Sequence, residues 1–238
     1  MKRSERHHLK DNELQRWAVQ ARRTYDARKR ETTLAVVAVL AIVVVAAGYF
    51  LWRGSVESRA QTALAQAMAI QDARVSAPGT PAVAGSYPSE RARLEAAVAK
   101  FKSVADTHAS TSAGVFARYQ EAAGEVALGN LPTAIQSYQD VLKHSGETIY
   151  TQMARLGLAE AQARAGQYES AINTFKELAQ RKDGPLPTDG VLMQLARTYR
   201  AAGKRADAQQ TLNRIVQEFP DSPFTPEARR ELDSINKT

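Results

Sequence analysis

At 238 residues, with a formal net charge of +7 and no cysteine, the chain has room for one ordinary domain or a short repeat array. Disulfides, thiol nucleophiles, thiolate metal sites and the acylated cysteine of a lipoprotein are excluded. Aromatic residues make up only 7% while alanine is plentiful, a balance that suits closely packed helices better than sheets. The charge is uneven: ten Lys or Arg against five acids precede residue 32, so the first 31 residues hold +5 and the rest of the chain +2.

Residues 1–31 read as a basic cytoplasmic arm. Its one helical stripe is Leu14, Trp17, Ala18, Ala21 and Tyr25, with charges between the members. The positive-inside rule accounts for a solvated, topology-setting tail; an amphipathic helix on anionic lipid or against a membrane partner is the other reading. A compact basic segment beside a span is better placed for lipid phosphate than for nucleic acid, so no nucleic-acid partner is expected.

Residues 32–52, TTLAVVAVLAIVVVAAGYFLW, contain no Asp, Glu, Lys, Arg or His. At about 1.5 Å per residue this run reaches roughly 30 Å, the thickness of a bilayer's hydrocarbon core, and predicts a single transmembrane helix. Arg53 and Arg59 are the only basic residues close behind it, so the N-terminus is expected inside and the C-terminal bulk exported. A cleaved signal peptide fits less well, because its apolar region runs to about 7–15 residues behind a shorter basic lead. Tyr49 and Trp52 suit an aromatic belt at the outer interface, and Arg28, Lys29 and Arg30 the inner headgroups.

Beyond the span, Val56, Ala60, Ala63, Leu64, Ala67, Met68 and Val75 recur at helical spacing, predicting a juxtamembrane helix within residues 53–75. Residues 76–89, SAPGTPAVAGSYPS, are rich in proline, glycine and serine and predict a flexible linker. From residue 90 to 238 the chain repeats. A shift of 37 aligns Ala97, Ala134, Ala171 and Ala208; Phe101, Tyr138, Phe175 and Leu212; and Val104, Val141, Leu178 and Ile215. Each triplet places a small, a large and a branched side chain on one helical face at i, i+4 and i+7. Gly129, Gly166 and Gly203 precede three of the copies, where glycine's access to the left-handed conformation closes a helical hairpin.

These residues resemble the tetratricopeptide repeat, most closely in Gly166, Tyr168, Ala171, Phe175 and Leu178, with Ala159, Ala122 and Ala196 at the small position of the preceding helices. The period is longer than the usual 34, and Arg205 stands where the pattern has tyrosine. The resemblance implies an all-α fold: an N-terminal transmembrane helix, then an α-solenoid of three to four hairpins closed by a C-terminal capping helix. The first copy lacks its own upstream helix, and residues 55–75 are expected to supply it. The charged helix after Pro226 is expected to cap the stack, since a solenoid needs a polar end. The packing residues are Ala97, Phe101, Ala134, Tyr138, Ala171, Phe175, Ala208 and Leu212.

In this family a groove for peptides or helices is lined by the first helix of each repeat. Carried over, its positions are Phe116, Tyr119, Ala123 and Val126; Met153, Leu156, Glu160 and Ala163; and Met193, Arg197 and Arg200. This groove is expected to be apolar in its first part and basic in its last; the alternative is that its large apolar members are core.

Catalytic chemistry is not indicated. His7, His8, His108 and His144 form no ligand spacing; no G-x-S-x-G, Walker loop or G-x-G-x-x-G occurs; and Glu121, Glu125, Glu160 and Glu177 are expected on solvated helix faces. No enzyme activity, cofactor or metal is expected. With its basic arm, single span and repeats, the chain resembles the bacterial single-span tetratricopeptide proteins that act as ancillary subunits of the Sec translocon. That resemblance implies an inner-membrane protein with a periplasmic repeat domain whose partners are the translocon, a periplasmic chaperone or an exported polypeptide. The ending FPDSPFTPEAR also resembles the Tol-Pal coordinator and the outer-membrane assembly lipoprotein, which keeps an envelope scaffold open as the alternative.

Overall fold

The computed structural model describes residues 29–76, 84–144, 146, 148–181 and 184–237. The arm's helical stripe, its first two histidines and the centre of the proline-rich stretch lie outside the described residues. Among those described, every regular element is a helix. They are α1 (Lys29–Gln71), α2 (Glu90–Thr107), α3 (Ser112–Leu128), α4 (Leu131–His144), α5 (Ile149–Arg164), α6 (Tyr168–Gln180), α7 (Thr188–Ala201), α8 (Arg205–Glu218) and α9 (Thr225–Asn236).

Contacts divide the chain into two compact units, Met1–Ser55 and Val56–Thr238. In the first unit the apolar run is helical and presents large side chains on all sides. Leu34, Val36, Ile42, Val45 and Phe50 are each more than half exposed, the pattern of a helix whose surroundings are to be apolar. An 18-residue window there has a mean hydropathy of 2.8, long and apolar enough to cross a membrane.

The second unit is a stack of helical hairpins. Residues 63–70 of α1 pack on α2, α3 pairs with α4, α5 with α6 and α7 with α8, while α9 packs on the last pair. The domain therefore begins earlier than residue 90. Ala63, Leu64, Ala67 and Ile70 cover Ala97, Phe101 and Val104 of α2, and the Glu57 carboxylate accepts hydrogen bonds from the Ser112 and Ala113 backbone N–H groups at 3.2 and 3.3 Å. Residues 63–70 thus cover α2 as expected of the segment that supplies the first copy's upstream helix, because an amphipathic half-helix with alanines on one face packs closely. The ends of the stretch expected to be a flexible linker are also held. Val75 and Tyr87 form a parallel bridge, with the Ser76 N–H donating to the Tyr87 carbonyl and the Tyr87 N–H to the Arg74 carbonyl, both at 2.9 Å.

The later hairpins share one turn. Gly129, Gly166 and Gly203 have φ of 87°, 78° and 75°, and the residue after each donates its N–H back across the turn: Asn130 to the Glu125 carbonyl, Gln167 to Gln162 and Lys204 to Tyr199, each at 2.8 Å. This is the Schellman closure, which needs a left-handed residue and so favours glycine. The next helix thus starts from the same closure each time, and the 37-residue columns fall into the interior. Ala97, Ala134, Ala171 and Ala208 are at most 1% exposed, and Phe101, Tyr138, Phe175 and Leu212 at most 4%.

Alanine at these positions lets paired helices approach closely. Ala171→Leu is expected to overpack the α5/α6 hairpin and cost about 1–3 kcal/mol, read as a lower Tm of a fragment spanning residues 56–238. An unchanged Tm for this substitution and its counterparts at Ala134 and Ala208 contradicts the packing described.

Candidate protein-binding groove

The first helices of successive hairpins, α3, α5 and α7, lie side by side and present the candidate groove residues. Phe116, Tyr119 and Val126 of α3, and Met153, Leu156 and Glu160 of α5, are half-buried, each with a face left to solvent. At the α3/α5 end the aromatic rings gather. Phe116 stacks on Tyr119 with centroids 6.2 Å apart and meets Tyr150 at 5.2 Å, and Tyr119 tilts onto the buried Tyr138 at 5.9 Å. Such pairs add to simple area burial and fix ring orientation.

Between α5 and α7 the same face opens into a cavity of about 310 Å³, lined by Glu160, Ala163 and Arg164 on one side and Gln194, Arg197 and Thr198 on the other. Glu160 stands between the aromatic end and this cavity. Burial holds its carboxyl above the usual carboxylate range, and Arg164, one turn on, partly offsets that. Burial raises the Tyr119 and Tyr138 phenols, and the negative charge of Glu160 adds to the shift of each.

Three expectations from the sequence are corrected here. Met193 is 1% exposed and belongs to the core with Leu192, Leu195 and Ala196, because α9 and the segment leading into it cover that side of α7. The basic end of the groove is largely neutralised: Arg197 pairs with Glu227 at 2.6 Å and Arg200 with Glu231 at 3.1 Å, both acids coming from α9. The glutamates do not all lie on solvated faces. Glu160 is half-buried, and Glu121 is 1% exposed, held by Arg118 at 2.7 Å, Lys102 at 3.8 Å and the Ser137 hydroxyl at 3.3 Å. Burial raises the Glu121 carboxyl, whereas Asp106, which accepts from Nη2 of Arg118 while Nη1 donates to Glu121, is held low by that hydrogen bond.

Sequence reasoning missed Tyr150, whose ring completes the aromatic cluster, and Gly157, whose role is close approach. A Cβ built on Gly157 lies 2.4 Å from Cζ of Tyr138 and 2.6 Å from its hydroxyl, so a side chain there would overlap the tip of the ring that α4 brings against α5. A glycine at a packing position, rather than at a turn, was the available signal. Of the two described histidines, His108 caps the end of α2, and His144 engages the Asp140 carbonyl through Nδ1 at 2.8 Å.

A family model described as a tetratricopeptide repeat-like domain matches residues 29–184, and a tetratricopeptide repeat model matches residues 191–222. No curated protein matches the sequence. Among solved structures the chain is similar to the nearly identical TPR-like repeats described for a kinesin light chain of Podosopora anserina. The two share 16% identity over 76% of this chain and 87% of that one, with a TM-score of 0.58. It is also similar to a tetratricopeptide repeat protein from Parabacteroides merdae, at 16% identity over 61% of this chain and 54% of that one, with a TM-score of 0.50. At such identities the likeness is one of fold.

Proposed function

Because the chain belongs to the tetratricopeptide repeat-like domain family, we propose that it is a non-enzymatic adaptor. In this reading its hairpin stack binds proteins along the α3/α5/α7 face while residues 32–52 fix it in a membrane. The observation that carries the reading is the half-exposed cluster of Phe116, Tyr119 and Tyr150 continuing into the cavity beside Glu160: rigid rings next to an open, mixed-polarity trough suit an extended segment or a helix of a partner. Tethering raises the effective concentration of a weakly bound partner to the millimolar range, so a shallow groove suffices.

The basic arm before the apolar helix supports a cytoplasmic N-terminus and an exported repeat unit in the inner membrane of a bacterium. A reporter fused after Thr238 is expected to be active only in the exported compartment; activity of a cytoplasmic reporter there contradicts the topology. The combination of arm, span and repeats supports a place beside the Sec translocon, linking it to periplasmic chaperones or exported polypeptides. The ending that follows Phe219 supports the second reading, an envelope scaffold for outer-membrane or cell-wall assembly. Purification of the full chain in mild detergent separates them: channel subunits and periplasmic chaperones in the eluate support the first, and assembly-machinery components in their place support the second.

A further inference from the structure

We propose that the groove around Glu160 takes a polypeptide segment carrying a lysine or arginine set among apolar residues. The carboxylate pairs with the incoming cation, and the Phe116, Tyr119 and Tyr150 rings flank its neighbours. This rests on the reading of the α3/α5/α7 face as a protein-binding surface, and adds the chemistry of what enters it.

Of the described arginines on this face, Arg197 is drawn off to Glu227 at 2.6 Å and Arg200 to Glu231 at 3.1 Å, so α9 removes the cations that sequence alone places beside Glu160. Arg164 lies one helical turn further along, exposed, and acts on Glu160 through space. Glu160 itself is half-buried and lines the cavity of about 310 Å³, room for the end of a long side chain. A carboxylate taken partly out of water gains most from a hydrogen-bonding cation, which restores what burial removes.

The surroundings suit the rest of such a segment. Met153, Leu156 and Ala163 share the α5 face with Glu160, and the Phe116 ring lies 6.2 Å from Tyr119 and 5.2 Å from Tyr150 on the adjoining hairpin. Tyr119, whose phenol feels the Glu160 charge, is the ring that can meet the methylene stem of such a side chain, while Phe116 and Tyr150, the latter ten residues back along α5, meet apolar neighbours further along the segment. An acidic segment, by contrast, meets Glu160 directly and finds the α7 arginines already engaged.

The test uses the full chain in lipid nanodiscs and fluorescein-labelled probe peptides of leucine and alanine with a single central lysine, alongside glutamine and glutamate counterparts, read by fluorescence anisotropy. The lysine peptide is expected to bind roughly tenfold more tightly than the glutamine peptide, the scale of one charge-assisted hydrogen bond. Glu160→Gln is expected to shrink that ratio to about one at an unchanged Tm, which separates it from an unfolded variant, whereas Gln136→Ala on the exposed side of α4 is expected to leave the ratio as it is. Arg164→Ala is expected to strengthen lysine-peptide binding.

Equal affinities for lysine and glutamine peptides, or a ratio untouched by Glu160→Gln, overturn the inference and leave the groove reading standing. A preference for the glutamate peptide assigns the groove to acidic segments and overturns it as well, and weaker lysine-peptide binding in Arg164→Ala overturns it by showing that the cation is not held by Glu160. Binding of none of the three overturns the groove reading and the inference together.

Discussion

A fragment that starts at Glu90 is expected to melt well below one that starts at Val56, although both contain every residue of the 37-residue repeat. The shorter fragment strips Ala63, Leu64, Ala67 and Ile70 from Phe101 and Val104, which are each 2% exposed in the intact unit. Re-exposing much of two such side chains costs roughly 3–5 kcal/mol, a large fraction of a domain's net stability. The Ser112 and Ala113 N–H groups also lose the Glu57 carboxylate, an anion favoured at the positive end of α3. Hydrogen exchange locates the damage: amides of α2 are expected to lose protection first, while α7 and α8 retain theirs. Equal Tm values and equal α2 protection in the two fragments contradict the assignment of residues 56–71 to the first hairpin.

The second large effect is expected at Arg118, which joins Asp106 to the buried Glu121. Arg118→Met keeps the apolar stem and removes the guanidinium, leaving Glu121 in the interior with the Ser137 hydroxyl at 3.3 Å and Lys102 at 3.8 Å. Breaking a buried pair from one side costs about 3–5 kcal/mol, because the remaining charge keeps its desolvation without its partner.

The sign of the pH dependence follows from the two carboxyls. Asp106 is held low in the folded protein, so its contribution to wild-type stability is present above the unfolded carboxylate range and is lost as pH falls below it through the lowered folded value. Glu121 is already raised by burial and rises further without Arg118. Its cost in the variant is therefore felt above the unfolded range and relieved by protonation as pH falls. The gap in Tm between wild type and Arg118→Met is expected to be widest near neutrality and to narrow towards mildly acidic pH. A gap that widens on acidification contradicts this account of the network.

What the sequence makes legible is whatever repeats. The second helix of each hairpin buries one face in every copy, so the alanine, aromatic and aliphatic columns survive a simple shift of the chain and all fall inside. The same holds for Gly129, Gly166 and Gly203, since one backbone conformation recurs three times and only glycine adopts it without strain. The groove is harder to read because it lies on first helices, where one residue rotates a side chain by about 100°. Leu156 and Met193 occupy equivalent positions in the carried-over pattern, 37 residues apart. Leu156 keeps a face to solvent, whereas α9 and the segment before it close over the end of the stack and bury Met193.

Pairing between distant helices leaves no periodic trace. Glu227 and Glu231 read as the polar surface of a capping helix, but their positions opposite Arg197 and Arg200 depend on how α9 docks. Glu121 looks like an ordinary surface glutamate until α2 and α4 bring Lys102 and Ser137 to it. The first hairpin is legible in another way: the copy that starts at residue 90 lacks an upstream helix, which points to residues 55–75 across the proline-rich stretch, and the Val75 and Tyr87 bridge holds the two ends of that stretch together.

The central claim is that this protein holds other polypeptides on one face of its hairpin stack. A photoactivatable crosslinker placed in turn at Tyr119, Leu156 and Arg164 on that face, and at the exposed Gln136 and Asn213 of α4 and α8, tests it in intact membranes. The account predicts discrete protein adducts from the three groove positions and none above background from the two helices behind them. Adducts of equal yield from both sets, or from Gln136 and Asn213 alone, contradict it.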